Sequence, residues 1–107
     1  MKPVKKLLWW LLAGTSGGIN RGKILEKIIE EPMNANELAD ELKIDYKTVR
    51  HHLNVLQKNR LITTMGSRYG TMYFPSELLE ENVEYFKEIW DKIGKNKKND
   101  ERHKVKK

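Results

Sequence analysis

Residues 45–58, DYKTVRHHLNVLQK, put two chemistries on opposite faces of one helix, and this segment constrains the fold most tightly. Val49, Leu53 and Leu56 recur at helical spacing and face a core, with Val55 and His52 at its edges. The opposite face carries Lys47, Arg50, His51, Asn54 and Lys58, at i, i+3, i+4, i+7 and i+11. Every member of that face donates hydrogen bonds and none is acidic, whereas a merely solvated face mixes both signs. Asp45 stands where an N-cap is needed.

The preceding segment, MNANELADELKI, predicts a two-turn helix. Asn34 and Glu37 have capping-box spacing, and Ala35, Leu38, Ala39 and Leu42 line one face. Only Lys43-Ile44-Asp45 joins it to the next helix, as a helix-turn-helix requires. Ala39 suits a close crossing of the two helices, Ile44 plugs the turn, and Val49 packs beneath the second helix. Lys43 occupies a turn position that tends to be left-handed and favours glycine. Upstream, Asn20 is expected to cap a helix with Ile24, Leu25, Ile28 and Ile29 on its stripe, stopped by Pro32. Downstream the period changes. Leu61–Met65 and Thr71–Phe74 are β-prone runs around the turn Gly66-Ser67-Arg68-Tyr69-Gly70, which predicts a hairpin closed by Pro75. The expected fold is mainly α with a small β-hairpin wing, a winged helix-turn-helix.

Both ends add an apolar helix. Leu7–Ala13 is apolar on all sides; the lysines before it and the small residues after it give it the minimum form of a signal peptide. The run is too short to span a bilayer, and it is read instead as a helix buried at a contact between two copies. In the last segment, from Ser76 to Ile93, Leu79, Val83, Phe86, Trp90 and Ile93 step by four, three, four and three, a heptad-like seam. Ser76 is placed to cap it and Gly94 to stop it. This stripe is wider than one small core is expected to cover. Leu8, Trp9, Leu12, Leu79, Val83, Phe86 and Trp90 are therefore expected at a homodimer interface. The organisation read from the chain is an N-terminal dimerisation helix in 1–18, a winged helix-turn-helix in 19–75, a C-terminal dimerisation helix in 76–94 and a disordered basic tail in 95–107.

Charge narrows the function. The 107 residues carry a net charge of +6, which favours a polyanionic partner. The segment from Lys43 to Arg68 is basic, and Glu77, Glu80, Glu81, Glu84, Glu88 and Asp91 follow it, so one face is expected to meet nucleic acid and another to point away. There is no cysteine, which excludes disulfides, thiolate metal sites and a cysteine nucleophile. His51 and His52 are adjacent, point about 100° apart on a helix and are poorly placed to chelate one metal. His52 is expected to pack or to bond backbone, and the tryptophans to serve packing rather than base stacking. No enzyme, cofactor or metal is expected.

The stretch WLLAGTSGGINRGKILEKIIEEPMNANELADELKIDYKTVRHHLNVLQKNRLI resembles archaeal winged-helix transcriptional regulators of the ArsR-like group, most specifically in TVRHHLNVLQKNRLI. The resemblance covers about Trp10 to Ile93. It implies a cytoplasmic, homodimeric DNA-binding protein. It places Tyr46, Lys47, Thr48, Arg50 and His51 at groove-facing positions of the recognition helix (46–59), and Arg68 and Tyr69 at the tip of the wing (62–74). The family's thiolate metal sensor does not carry over, and an effector is not legible. The chemistry fits. Arg50 can pair with guanine O6 and N7, Asn54 with adenine or a phosphate, and Tyr46 and Thr48 with phosphates near the helix start, where the dipole helps. Lys47 and Lys58 suit phosphates, and Arg68 the minor groove or backbone. The expected function is sequence-specific regulation on double-stranded DNA. The alternatives are a protein-interaction winged helix and a nonspecific architectural DNA binder.

Overall fold

The computed structural model describes residues 2–67 and 70–93. The expected wing tip (Arg68 and Tyr69), the Gly94 stop and the basic tail lie outside them. Helix α1 runs Pro3–Ala13, α2 Gly18–Glu30, α3 Ala35–Leu42 and α4 Tyr46–Lys58. Strands β1 (Met33–Asn34), β2 (Ile62–Ser67) and β3 (Gly70–Pro75) form an antiparallel sheet in the order β1-β3-β2. Helix α5 covers Glu77–Glu81 and helix α6 covers 83–93. The fold is a winged helix-turn-helix. No described helix is long and apolar enough to cross a membrane.

The start and stop signals act as local chemistry dictates. The Asn34 side chain accepts from Glu37 N at 2.8 Å while Glu37 accepts from Asn34 N at 2.9 Å, a complete capping box. Asp45 Oδ2 accepts from Lys47 N at 3.0 Å and Thr48 N at 3.3 Å. Between these helices Lys43 is left-handed, at φ 57° and ψ 42°, and Ile44 N donates to Ala39 O at 3.1 Å. Arg60, at φ 63°, closes α4 in the same way. Its carbonyl accepts from Ser76 Oγ at 2.7 Å, and Ser76 Oγ accepts from Leu79 N at 3.1 Å. The end of α4, the base of the wing and the start of α5 thus meet at Arg60 and Ser76.

Three expectations are corrected and one strand is added. Asn20 does not cap α2: the helix begins at Gly18 behind Gly17, whose φ of 84° suits a residue without Cβ. The segment after Pro32 pairs as β1, with Met33 opposite Tyr73 and Asn34 opposite Met72. The hairpin is tighter than five residues, since Ser67 pairs with Gly70. The Ser76–Ile93 segment is two helices, not one. Asn82 ends α5, its side chain donating to Leu78 O at 2.9 Å, and its carbonyl accepts from Tyr85 N at 3.0 Å to begin α6.

The apolar ends fold onto the body of the same chain. Leu8, Leu12, Leu79 and Phe86 are buried in one continuous cluster with Leu25, Leu53, Leu61 and Ile89. One core therefore covers most of both stripes, and these four residues need no second copy to leave water. Trp90 stacks on Phe86 with ring centroids 6.2 Å apart, and its indole lies where a Cβ on residue 22 would stand, which only Gly22 permits. Lys5 and Glu88 pair at 3.2 Å, joining α1 to α6. Trp9, Val83 and Trp90 keep part of their surface in solvent, and Trp10 is 56% exposed.

A left-handed lysine costs about 1 kcal/mol more than a left-handed glycine. Lys43→Gly is expected to raise the unfolding free energy by up to that amount in urea titration, with an unchanged denaturant slope.

Candidate nucleic-acid interface

The exposed face of α4 is assembled as its spacing predicts. Val49, Leu53 and Leu56 anchor the helix in the core. Tyr46, Lys47, His51, Asn54 and Lys58 are exposed on the outer side, with Tyr46 at 45%, and Thr48 and Arg50 are half-buried at its margin. Gln57, which the sequence reading passed over, is also exposed and adds one more amide between Asn54 and Lys58. Thr63, Met65 and Thr71 are exposed on the wing. The expected phosphate site at the helix start needs one correction. Asp45 already accepts from two of the first free amides and places its own negative charge there. The polar side chains that remain beside this capped end are those of Tyr46, Lys47 and Thr48.

Arg50 does not stand free. Its Nη1 donates to Tyr73 Oη at 2.8 Å across to the wing. Tyr73 lies on β3, the central strand, paired with Met33 on one side and Thr64 on the other, and is 3% exposed. The sequence reading missed this residue. No local signal marks it, since the partner lies 23 residues away and the burial of Tyr73 comes from the pairing of β3 on both sides.

The second missed residue is Arg21, on the apolar stripe of α2 and only 5% exposed. Its Nε donates to Leu11 O at 2.9 Å, and Nη2 donates to Ser16 O at 3.2 Å and to Thr15 Oγ1. Nη1 approaches His52 Nδ1 at 3.3 Å. A guanidinium only donates, so Nδ1 is the accepting nitrogen and the His52 proton sits on Nε2. His52 is buried as expected at the core edge, but it bonds a side chain from α2 and not backbone. Burial lowers its pKa, helped by the Arg21 and His51 charges. Burial likewise draws Arg21 below the usual guanidinium value. The His51 and His52 rings are 61° apart in plane, His51 out and His52 in.

Protonating His52 puts a hydrogen on the atom that accepts from Arg21, so the folded state takes up this proton less readily than the unfolded chain. Stability conferred by neutral His52 is whole above its ordinary pKa of 6.5 and is lost as pH falls below it. The thermal midpoint is expected to drop as pH falls below about 6.5. His52→Asn, whose side-chain oxygen can take the place of Nδ1, is expected to flatten that slope in differential scanning calorimetry at several pH values.

Comparison with solved structures identifies the same fold in several proteins. Reduced HlyU from Vibrio cholerae N16961 superposes with a TM-score of 0.60 at 17% identity, over 84% of this chain and 88% of that one. The transcriptional regulator BldR from Sulfolobus solfataricus gives 0.68 at 13% identity, over 91% and 73%. The transcriptional regulator HlyU from Vibrio vulnificus CMCP6 gives 0.61 at 17% identity, over 81% and 88%. No curated protein matches the chain by sequence. Residues 20–64, which take in most of α2, the helix-turn-helix and the first half of β2, match the family model described as bacterial regulatory protein, arsR family.

Proposed function

We propose that the chain is a sequence-specific regulator of transcription that binds double-stranded DNA as a homodimer. Helix α4 enters the major groove, and the wing lies on adjacent backbone or in the minor groove. The observation that carries this reading is the outer face of α4, where Lys47, His51, Asn54, Gln57 and Lys58 are exposed donors, Arg50 stands at the margin, and no carboxylate intervenes. The major groove admits a helix presenting such a face, and Arg and Asn can read guanine and adenine there through paired hydrogen bonds. The arsR-family match over residues 20–64 supports regulation, as do the transcriptional regulators among the solved structures.

The homodimer is proposed on what the core leaves uncovered. Trp9, Trp10, Val83 and Trp90 lie on the two terminal helix elements with surface still in water, and Lys92 Nζ stands 5.6 Å from the Trp9 ring centroid. A two-fold pairing through these helices would set two recognition helices on successive major grooves, about 34 Å apart.

The test is selection of bound duplexes from a randomised pool at physiological salt. The expected product is a pseudo-palindrome with half-sites one helical turn apart. On that site Arg50→Ala is expected to cost about 1–3 kcal/mol and to relax the preference at one base pair. Salt-dependent binding without enrichment would instead identify a nonspecific architectural binder, and no binding a protein-interaction module.

A further inference from the structure

We propose that Tyr73 is the positioning residue of the DNA-reading site: its phenol hydroxyl fixes the guanidinium of Arg50 in the geometry that reads a base. The inference rests on the assignment of α4 to the major groove and identifies what that helix needs from the wing. An arginine reads guanine through two parallel N–H bonds, and its long side chain must give up several freely rotating bonds to hold that plane. In this protein much of that ordering is already present without DNA. Arg50 Nη1 donates to Tyr73 Oη at 2.8 Å, between residues 23 positions apart.

The anchor is itself rigid. Tyr73 is buried, and it stands at one of the two β3 positions paired on both sides, with Met33 of β1 and Thr64 of β2. The short strand β1 thereby acquires a role, since it encloses β3 and makes the phenol a fixed post rather than part of a loose wing. One of the five guanidinium hydrogens is committed to Tyr73, and the four that remain are enough for a two-bond fork. The hydroxyl carries no charge, so the guanidinium keeps its full attraction for DNA, which a carboxylate partner would have cancelled. Arg50 and Tyr73 form one reading unit built from the recognition helix and the wing.

The test is a double-mutant cycle on the selected duplex and on random duplex, with wild type, Tyr73→Phe, Arg50→Ala and the pair in the full chain. Tyr73→Phe keeps the ring and removes only the oxygen. It is expected to weaken binding to the selected site about tenfold, to leave random duplex and the salt slope unchanged, and to have no effect once Arg50 is alanine. Equal loss on both duplexes, or additive effects of the two substitutions, would overturn the proposal. Loss in Arg50→Ala without loss in Tyr73→Phe would also overturn it while leaving the DNA-binding reading intact. No change of preference in Arg50→Ala would instead overturn the base-reading role of α4 itself. A second readout requires neither DNA nor a stable variant complex: in the free protein, nitrogen-detected NMR is expected to show slowed rotation about the Arg50 Cζ–Nη1 bond, and free rotation there would overturn the proposal.

Discussion

The guanidinium of Arg21 is held in the interior by four neutral acceptors and no carboxylate. Taking a cation out of water costs several kcal/mol unless its donors are paired, and here each bond to Arg21 ties down a different piece of backbone or side chain. Leu11 O belongs to the last turns of α1, Thr15 and Ser16 to the connection after it, and His52 to the buried side of α4. Arg21 therefore sets where the N-terminal helix leaves the body and, through His52, how α4 sits upon α2. Gly17 makes the arrangement feasible, since a Cβ there would stand 2.7 Å from His52 Cε1. Burial first, and the neighbouring guanidinium second, favour the neutral form of His52, whereas a carboxylate in the place of Arg21 would have favoured the charged form.

The opposite side of α4 is organised on the same plan with the polarity reversed. There strand β3 supplies the neutral hydroxyl, Tyr73 Oη, and the helix supplies the guanidinium, Arg50. The two arginines and their partners grip α4 from both sides, His52 against α2 and Arg50 against β3. The sheet order β1-β3-β2 is what brings Tyr73 to the middle, and the Arg60–Ser76 junction keeps the wing's base against the end of the helix. A donor-rich face is useful for recognition only if it is presented at a fixed angle, and these contacts supply that angle without placing a negative charge on the outer surface.

Most of the backbone plan was legible because it is written in local chemistry. The Asn34–Glu37 box, the Asp45 and Ser76 caps, the left-handed Lys43 and the two faces of α4 all depend on residues within four positions of one another. What the sequence concealed is nonlocal. Strand β1 is two residues long, too short to show a period, and exists only because β3 runs beside it. Arg21 and Tyr73 act on partners 31 and 23 residues away, so nothing near them announces the contact. The break at Asn82 was hidden for a different reason. Leu79, Phe86 and Ile89 face the same core on either side of it, so the apolar spacing continues through a point where the backbone hydrogen bonds do not. The stripes at both ends were legible as apolar, but apolar spacing cannot say whether a stripe is covered by its own chain or by another. Here Leu8, Leu12, Leu79 and Phe86 are covered within the chain.

That distinction shapes how the proposed dimer would work. If α1 and α6 carry residual contacts through Trp9, Trp10, Val83 and Trp90, the same α1 whose outer side meets a second copy is held on its inner side by Leu8 and Leu11, and Arg21 bonds the Leu11 carbonyl. Any change in how two copies pack would reach Leu11 and the Thr15–Ser16 turn first. It would pass to His52 through a single buried guanidinium, with no flexible linker in between. The separation of two recognition helices on DNA would then be set by side chains packed at core density, which admit discrete arrangements rather than a continuous drift. A shift of the Arg21 cluster large enough to cost one of its bonds would be felt first at His52, on the buried side of α4.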